Sequence, residues 1–338
     1  MDISRPSTAV TAVVCLALVC VYRFQEALTA AGIPISRMIA IFSGITLQSL
    51  PFLAISSLIA AAIEVFLSPR QLARFFPRGR IAGCVLAFVY SALLPVCDCS
   101  TVPLVRTLLR RGVPPRTVFI ILFAAPSINP LVLFSTWYAF GPSLKAVSLR
   151  VVAAVICTMT IALLLSIRMP SLTAVLRQSE SDDDSCECSH GCGAHAAHAT
   201  RGRFSSFSSA SASTFLRVVP YMLIGAALSS IIQGLLPAGF ITGHASSYVS
   251  IAVAMLMAFV LSQCSSSDAI VARSMTSLLP PGALMTFMLM GPMLDVKNVF
   301  MLSAVFSTRF TLRICATITA VVALAGLVLT WWGLGGAL

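Results

Sequence analysis

Charge is what this sequence has least of. Lys, Arg, Asp and Glu make up 10% of the chain, and acidic residues number only 11, against a hydrophobic share of 58%. With a mean hydropathy of +0.96, that shortage excludes an ordinary soluble domain. Period-two alternation is also missing. The apolar runs are long and continuous, which rules out a closed barrel and leaves helices as the only way to satisfy the backbone in lipid. No Gly-rich loop ending in Lys and Ser/Thr occurs, which argues against direct ATP drive within this chain. The chain has no soluble basic domain to carry nucleic acid. Its net charge of +11 comes mostly from Arg in short loops, such as Arg70, Arg74, Arg78 and Arg80, then Arg110, Arg111 and Arg116. That placement is the positive-inside pattern of membrane proteins. The 11 cysteines are not spread as a secreted disulfide framework.

What remains is an all-α polytopic membrane protein with two homologous repeats, broken or re-entrant helices and about 8–10 transmembrane segments. Residues 1–36 hold a first helix over 8–24, read as retained because it lacks a basic n-region and a cleavage site. Residues 37–168 form permease repeat 1, and Pro51 within 37–67 is expected to kink the helix or split it. Residues 169–213 are a polar, Ser-rich linker, and residues 214–338 form permease repeat 2. Trp331 and Trp332 suit an interfacial anchor.

The repeat rests on landmarks held at a near-constant offset. Leu50-Pro51-Phe52-Leu53 corresponds to Val219-Pro220-Tyr221-Met222. Cys97-Asp98-Cys99-Ser100-Thr101 corresponds to Cys264-Ser265-Ser266-Ser267-Asp268, and Pro114-Pro115 to Pro280-Pro281. Pro126 and Asn129 then correspond to Pro292 and Asp295. Pro95 and Pro103 bracket the first motif and make a continuous crossing helix over it costly, so residues 97–111 are expected to be unwound or a re-entrant half-helix. The helices over 116–141 and 281–306 are expected to break around Pro126, Pro130 and Pro292. Paired broken helices are the best sequence pointer to a transporter's binding site.

Two constellations carry chemistry. Within the membrane, Cys97, Asp98, Cys99, Ser100 and Thr101 are expected to meet Cys264, Ser265, Ser266, Ser267 and Asp268, with Asn129 and Asp295 lining the same cavity. Thiolates select soft ions, and a carboxylate in a partly dry site takes up protons. Close helix packing by small residues would explain the Ser and Thr alone, but not two aspartates at comparable places. In the linker, Cys186, Cys188, His190, Cys192, His195 and His198 suit Zn²⁺ or Cu⁺. The bland alternative is a polar linker that binds metal adventitiously. Lys297 is read as snorkelling or pairing with Asp295, and the methionines of 275–301 as packing.

The paired motifs, Cys-Asp-Cys-Ser-Thr-Val-Pro-Leu with Ala-Pro-Ser-Ile-Asn-Pro and Cys-Ser-Ser-Ser-Asp-Ala, resemble the bacterial predicted-permease family that includes organoarsenical efflux permeases. A branch described as copper/zinc efflux transporters is similar in its Cys/His-rich central loop. The resemblance covers about residues 37 to 330. It implies a multi-pass permease of the cytoplasmic membrane that exports a thiophilic species, with the loop on the cytoplasmic side. It supplies no catalytic residue, no enzyme activity and no obligatory cofactor. Expected partners are the bilayer, a small metal or metalloid substrate and a second copy in a homo-oligomer, with no nucleic acid. Two alternatives stay open: a thiol–disulfide conductor that passes reducing equivalents across the membrane, and a permease for another small solute.

Overall fold

The structure, a computed structural model, describes residues 35–66, 80–93, 97–141, 143–167, 175, 199–235 and 247–332. The expected first helix over 8–24, Pro95 and the linker cluster from Cys186 to His198 lie outside the described residues.

Every element among the described residues is a helix. The first half contributes α1 (Ile35–Phe66), α2 (Arg80–Leu93), α3 (Asp98–Arg110), α4 (Pro115–Ile128), α5 (Pro130–Ala139) and α6 (Leu144–Ile167). The second contributes α7 (Ala199–Leu235), α8 (Ser247–Leu261), α9 (Asp268–Ser274), α10 (Pro281–Met293), α11 (Val296–Val305) and α12 (Thr308–Trp331). The order of long, short and broken helices is the same in both halves. Among the described residues, six segments are long and apolar enough to cross a membrane: Ser36–Ile63, Pro115–Ala139, Leu144–Ile167, Phe207–Gly234, Pro281–Val305 and Thr308–Trp331. Ile81–Leu93 and Tyr248–Leu261 are shorter apolar helices. The fold is that of an all-α polytopic membrane protein.

The prolines act less simply than their chemistry suggests. α1 runs unbroken through Pro51 and α7 through Pro220. Pro126 and Pro292 sit inside α4 and α10, and the breaks come afterwards, at Asn129 and at Leu294-Asp295. Asn129 is extended (φ −69°, ψ 158°) because the following Pro130 disfavours the helical region for its predecessor. Its side chain accepts a hydrogen bond from Val132 N at 2.9 Å. Asp295 is extended too and accepts from Asn298 N at 2.5 Å. These corresponding residues therefore perform one task, capping the second piece of a broken helix. Asn129→Ala is expected to lower stability by about 1 kcal/mol, and Asn129→Ser to restore most of it, measured by thermal unfolding in detergent. Equal midpoints for all three proteins would show that the cap contributes nothing.

α3 is short, as a re-entrant half-helix would be. Its 13 residues rise about 20 Å, short of the roughly 30 Å hydrocarbon core. It stops in a Schellman turn: Val113 N donates to Leu108 O and Gly112 N to Leu109 O, both at 3.1 Å. Gly112 takes φ +77°, the left-handed conformation that this motif gives to glycine. The expected linker becomes helical at Ala199, where α7 begins, so residues 199–213 belong to that helix.

α4 and α10 are buried along most of their length and form the middle of the bundle, whereas α1 and α12 are mostly exposed. Exposed side chains such as Leu47, Leu93, Phe134, Leu312 and Leu324 give the apolar outer face that lipid requires. The methionines pack as expected: Met285, Met288, Met290, Met293 and Met301 are all in the core. The halves interlock reciprocally. α3 of the first half packs on α11 of the second, and α9 of the second packs on α5 of the first, while α1 lies along α7.

Candidate functional site

The two motifs make the same turn. Ser100 N and Thr101 N donate to Cys97 O at 3.0 and 3.2 Å, and Ser267 N and Asp268 N donate to Cys264 O at 2.9 and 3.2 Å. By that turn Cys97 matches Cys264 and Thr101 matches Asp268, so Asp98 matches Ser265. The two aspartates are therefore not equivalent, and they have different partners.

Asp98 belongs to a compact cluster. The sulfurs of Cys97 and Cys99 and a carboxylate oxygen of Asp98 lie within 4.8 Å of one another, and all three residues are buried. The Cys99 thiol faces the Ser49 hydroxyl of α1 at 3.6 Å and Asp98 Oδ2 at 3.9 Å. These residues line a small pocket whose other walls include Gln48, Ser49 and Phe52 of α1, Ser262, Cys264 and Lys297. Its free space is on the scale of a single water molecule. Helices from both halves thus close on two thiols, a third thiol and a carboxylate.

Lys297 supplies the positive charge. Its Nζ lies 3.0 Å from Asp98 Oδ2 and 3.5 Å from Asp295 Oδ2. The sequence reading foresaw Asp295 as a partner but not Asp98. Two contacts fix its backbone. Lys297 N donates to the Ser262 hydroxyl at 3.3 Å, and Gly225 of α7 lets the two chains approach so closely that a Cβ there would meet Lys297 Cα at 2.7 Å. Ser262 is the one described non-glycine residue with positive φ, +46°. That conformation is rare outside glycine and gathers at functional sites. It is held from below by Gln233, whose amide donates to Val260 O at 3.3 Å and Leu261 O at 3.0 Å, the last carbonyls of α8.

Asp268 is part of a second charge pair and does not line the pocket. Arg150 of α6 grips it with both ends: Nη1 to Oδ1 at 3.0 Å and Nη2 to Oδ2 at 2.5 Å. Nη1 also donates to Thr136 Oγ1 at 2.8 Å and Nη2 to Met288 O at 3.3 Å. Both side chains are about 1% exposed. The pair joins the halves by a fork–fork contact, the geometry that arginine favours.

Other expected site residues fall nearby in supporting positions. The Ser100 and Thr101 hydroxyls bond back to Cys97 O and Asp98 O at 2.7 and 2.8 Å. Ser265 is buried, Ser266 bonds the Cys264 sulfur at 3.4 Å, and Ser267 bonds Cys264 O at 3.0 Å. Sequence reasoning left out Arg150, Ser49, Gln48 and Ser262 and undervalued Lys297. A signal for Lys297 was present: Lys145 and Lys297 are the only lysines, in a chain that otherwise uses arginine at its loops.

The family described as "Predicted permease" matches residues 35–331, from the first residue of α1 to the last of α12. This chain belongs to that family. Two relatives extend the likeness. A Streptococcus mutans protein named "Putative two-component membrane permease complex subunit" is 30% identical over 288 residues, 85% of this chain and 92% of that protein. "UPF0718 protein YcgR" of Bacillus subtilis is 30% identical over 291 residues, 85% of this chain and 94% of that protein. No solved structure matches. Family membership and the six apolar spans together make the chain a multi-pass membrane permease.

Proposed function

We propose that this permease exports a soft metal or metalloid species, zinc, copper or a trivalent arsenical, from the cytoplasm across the cytoplasmic membrane. The observation that carries the reading is the buried set of Cys97, Asp98 and Cys99, with the sulfurs and carboxylate within 4.8 Å and Cys264 on the same pocket. A dry cluster of thiols selects thiophilic cargo over the far commoner hard cations. Cys97 and Cys99 hold the cargo first and Cys264 receives it from the other half. Asp98 and Asp295 carry the compensating charge. Asp268 keeps the halves together through Arg150, in place of the ion-carrying role that the sequence reading gave it. Cys186, Cys188, His190, Cys192, His195 and His198 collect Zn or Cu on the cytoplasmic side and raise its supply. The name of the Streptococcus relative supports assembly with a second protein component, beside the homo-oligomer expected from sequence.

The test is accumulation of zinc, copper and arsenicals in a sensitive host that expresses the protein. Lower accumulation of one species is expected with the wild type, full loss of that effect with Cys97→Ser/Cys99→Ser, and partial loss when residues 182–198 are deleted. No change for any of these species, with altered periplasmic thiol status, would sink export and favour the thiol–disulfide conductor.

A further inference from the structure

Lys297 holds one ammonium between two carboxylates, at 3.0 Å from Asp98 and 3.5 Å from Asp295, with all three side chains buried. With both carboxylates ionised the triad has one negative charge in excess, an arrangement that burial makes costly unless another positive charge completes it. The two carboxylates differ in surroundings. Asp98 faces the pocket beside Cys97 and Cys99, and its Oδ1 has no hydrogen-bond partner. Asp295 does not line the pocket: its Oδ1 accepts from Asn298 N, and its Oδ2, which has no hydrogen-bond partner either, faces Lys297 Nζ at 3.5 Å. A lysine ammonium is a compact charge on a flexible four-carbon stem. The Lys297 backbone is held by Ser262 and crowded by Gly225. Such a stem allows the ammonium to pass from one carboxylate to the other by side-chain rotation, with α11 in place. The corresponding place in the first half is Leu131, so the site has one such charge and not two.

We infer that Lys297 is a tethered competitor of the cargo: its ammonium occupies Asp98 in the empty site, and a thiophilic cation arriving at Cys97, Asp98 and Cys99 displaces it onto Asp295. This rests on the soft-cargo reading given above. In the empty site Asp98 is neutralised by lysine. In the loaded site the cation neutralises Asp98, while Lys297 and Asp295 form a pair of their own, so the excess negative charge of the empty triad is matched only when cargo is bound. Return of the ammonium to Asp98 removes one ligand from the cargo and promotes its release toward Cys264.

The experiment titrates purified full-length protein carrying Cys186→Ser, Cys188→Ser and Cys192→Ser, so that the linker thiols are silent, in detergent with Cd²⁺, a thiophilic probe whose bonds to sulfur absorb in the ultraviolet. Lys297→Met keeps the length of the side chain and removes the competitor, so Cd²⁺ is expected to bind more tightly, by about tenfold or more. Asp295→Asn keeps a capping acceptor but removes the ammonium's second seat, so Cd²⁺ is expected to bind more weakly by a similar factor. Opposite shifts from two members of one triad are the signature of competition. An ammonium that only anchors the structure predicts weakening in both variants, and that result, or no shift in either, overturns the inference. Should Lys297→Met fail to fold, Asp295→Asn decides alone: unchanged or tighter binding overturns the inference. In that linker-silent background, an absent cadmium–sulfur band, or a band that survives Cys97→Ser/Cys99→Ser, is a separate result, in which the soft-cargo reading falls and the inference with it.

Discussion

Arg150→Leu is expected to leave little folded protein, because it strands a buried carboxylate. Asp268 then sits about 1% exposed with none of the four hydrogen bonds that Arg150 now makes to it, Thr136 and Met288. Removing one partner of a buried pair costs about 3–5 kcal/mol, against a total stability of about 5–15 kcal/mol for a typical protein. Replacing both partners is a milder change, since a buried ion pair often differs little in net stability from apolar residues of similar volume. The double variant Arg150→Leu/Asp268→Leu is therefore expected to regain most of the loss. Monodisperse yield on size-exclusion chromatography and the unfolding midpoint measure this. A double variant as poor as the sum of the singles would show that Arg150 acts through something other than Asp268.

The second large effect is expected at Gly225, where the added atom has nowhere to go. A Cβ there meets Lys297 Cα at 2.7 Å and Lys297 O at 3.2 Å, and backbone does not swing aside as a side-chain tip does. Gly225→Ala must part α7 from α11, an overpacking cost of about 1–3 kcal/mol. Because the displaced residue is Lys297, transport is expected to suffer more than stability. Gly44 has open space around it and serves as the control, with Gly44→Ala expected to behave like wild type. Full transport by a stably folded Gly225→Ala protein would show that the position of the Lys297 backbone is of no consequence to the site.

The parts of this fold that were legible in the sequence are those set by composition and proline placement. Long apolar runs, the duplicated motif and paired prolines suffice for a helical membrane protein with broken helices at corresponding points. The break expected at Pro130 is found there, with α4 ending at Ile128 and α5 starting at Pro130, whereas Pro126 and Pro292 lie inside their helices and the second break follows at Leu294-Asp295. A helix tolerates proline when the next turns are buried against neighbours, and the chain leaves the helix where Asn129 and Asp295 can cap a new one. Charge partners were the least legible. Arg150 lies near the start of an apolar helix, where an interfacial arginine is unremarkable, and nothing local connects it to Asp268 on the other side of the linker. Lys297 stands two residues from Asp295, so the nearby partner was read and the distant Asp98 was not. The two aspartates were matched by their presence in both motifs, although position by position along the motifs, and in the shared turn, Asp268 stands opposite Thr101.

Both charge pairs join residues that leave the ribosome far apart. Asp98 and Arg150 are made early, yet Lys297 and Asp268 arrive only after the linker and several further helices. During synthesis the first half therefore holds a carboxylate and a guanidinium with no counter-charge from the other half. It cannot complete its own interior. A chain truncated before residue 268 lacks the partner of Arg150 and that of Asp98 alike, so the interior of the first half is completed only by the last third of the chain.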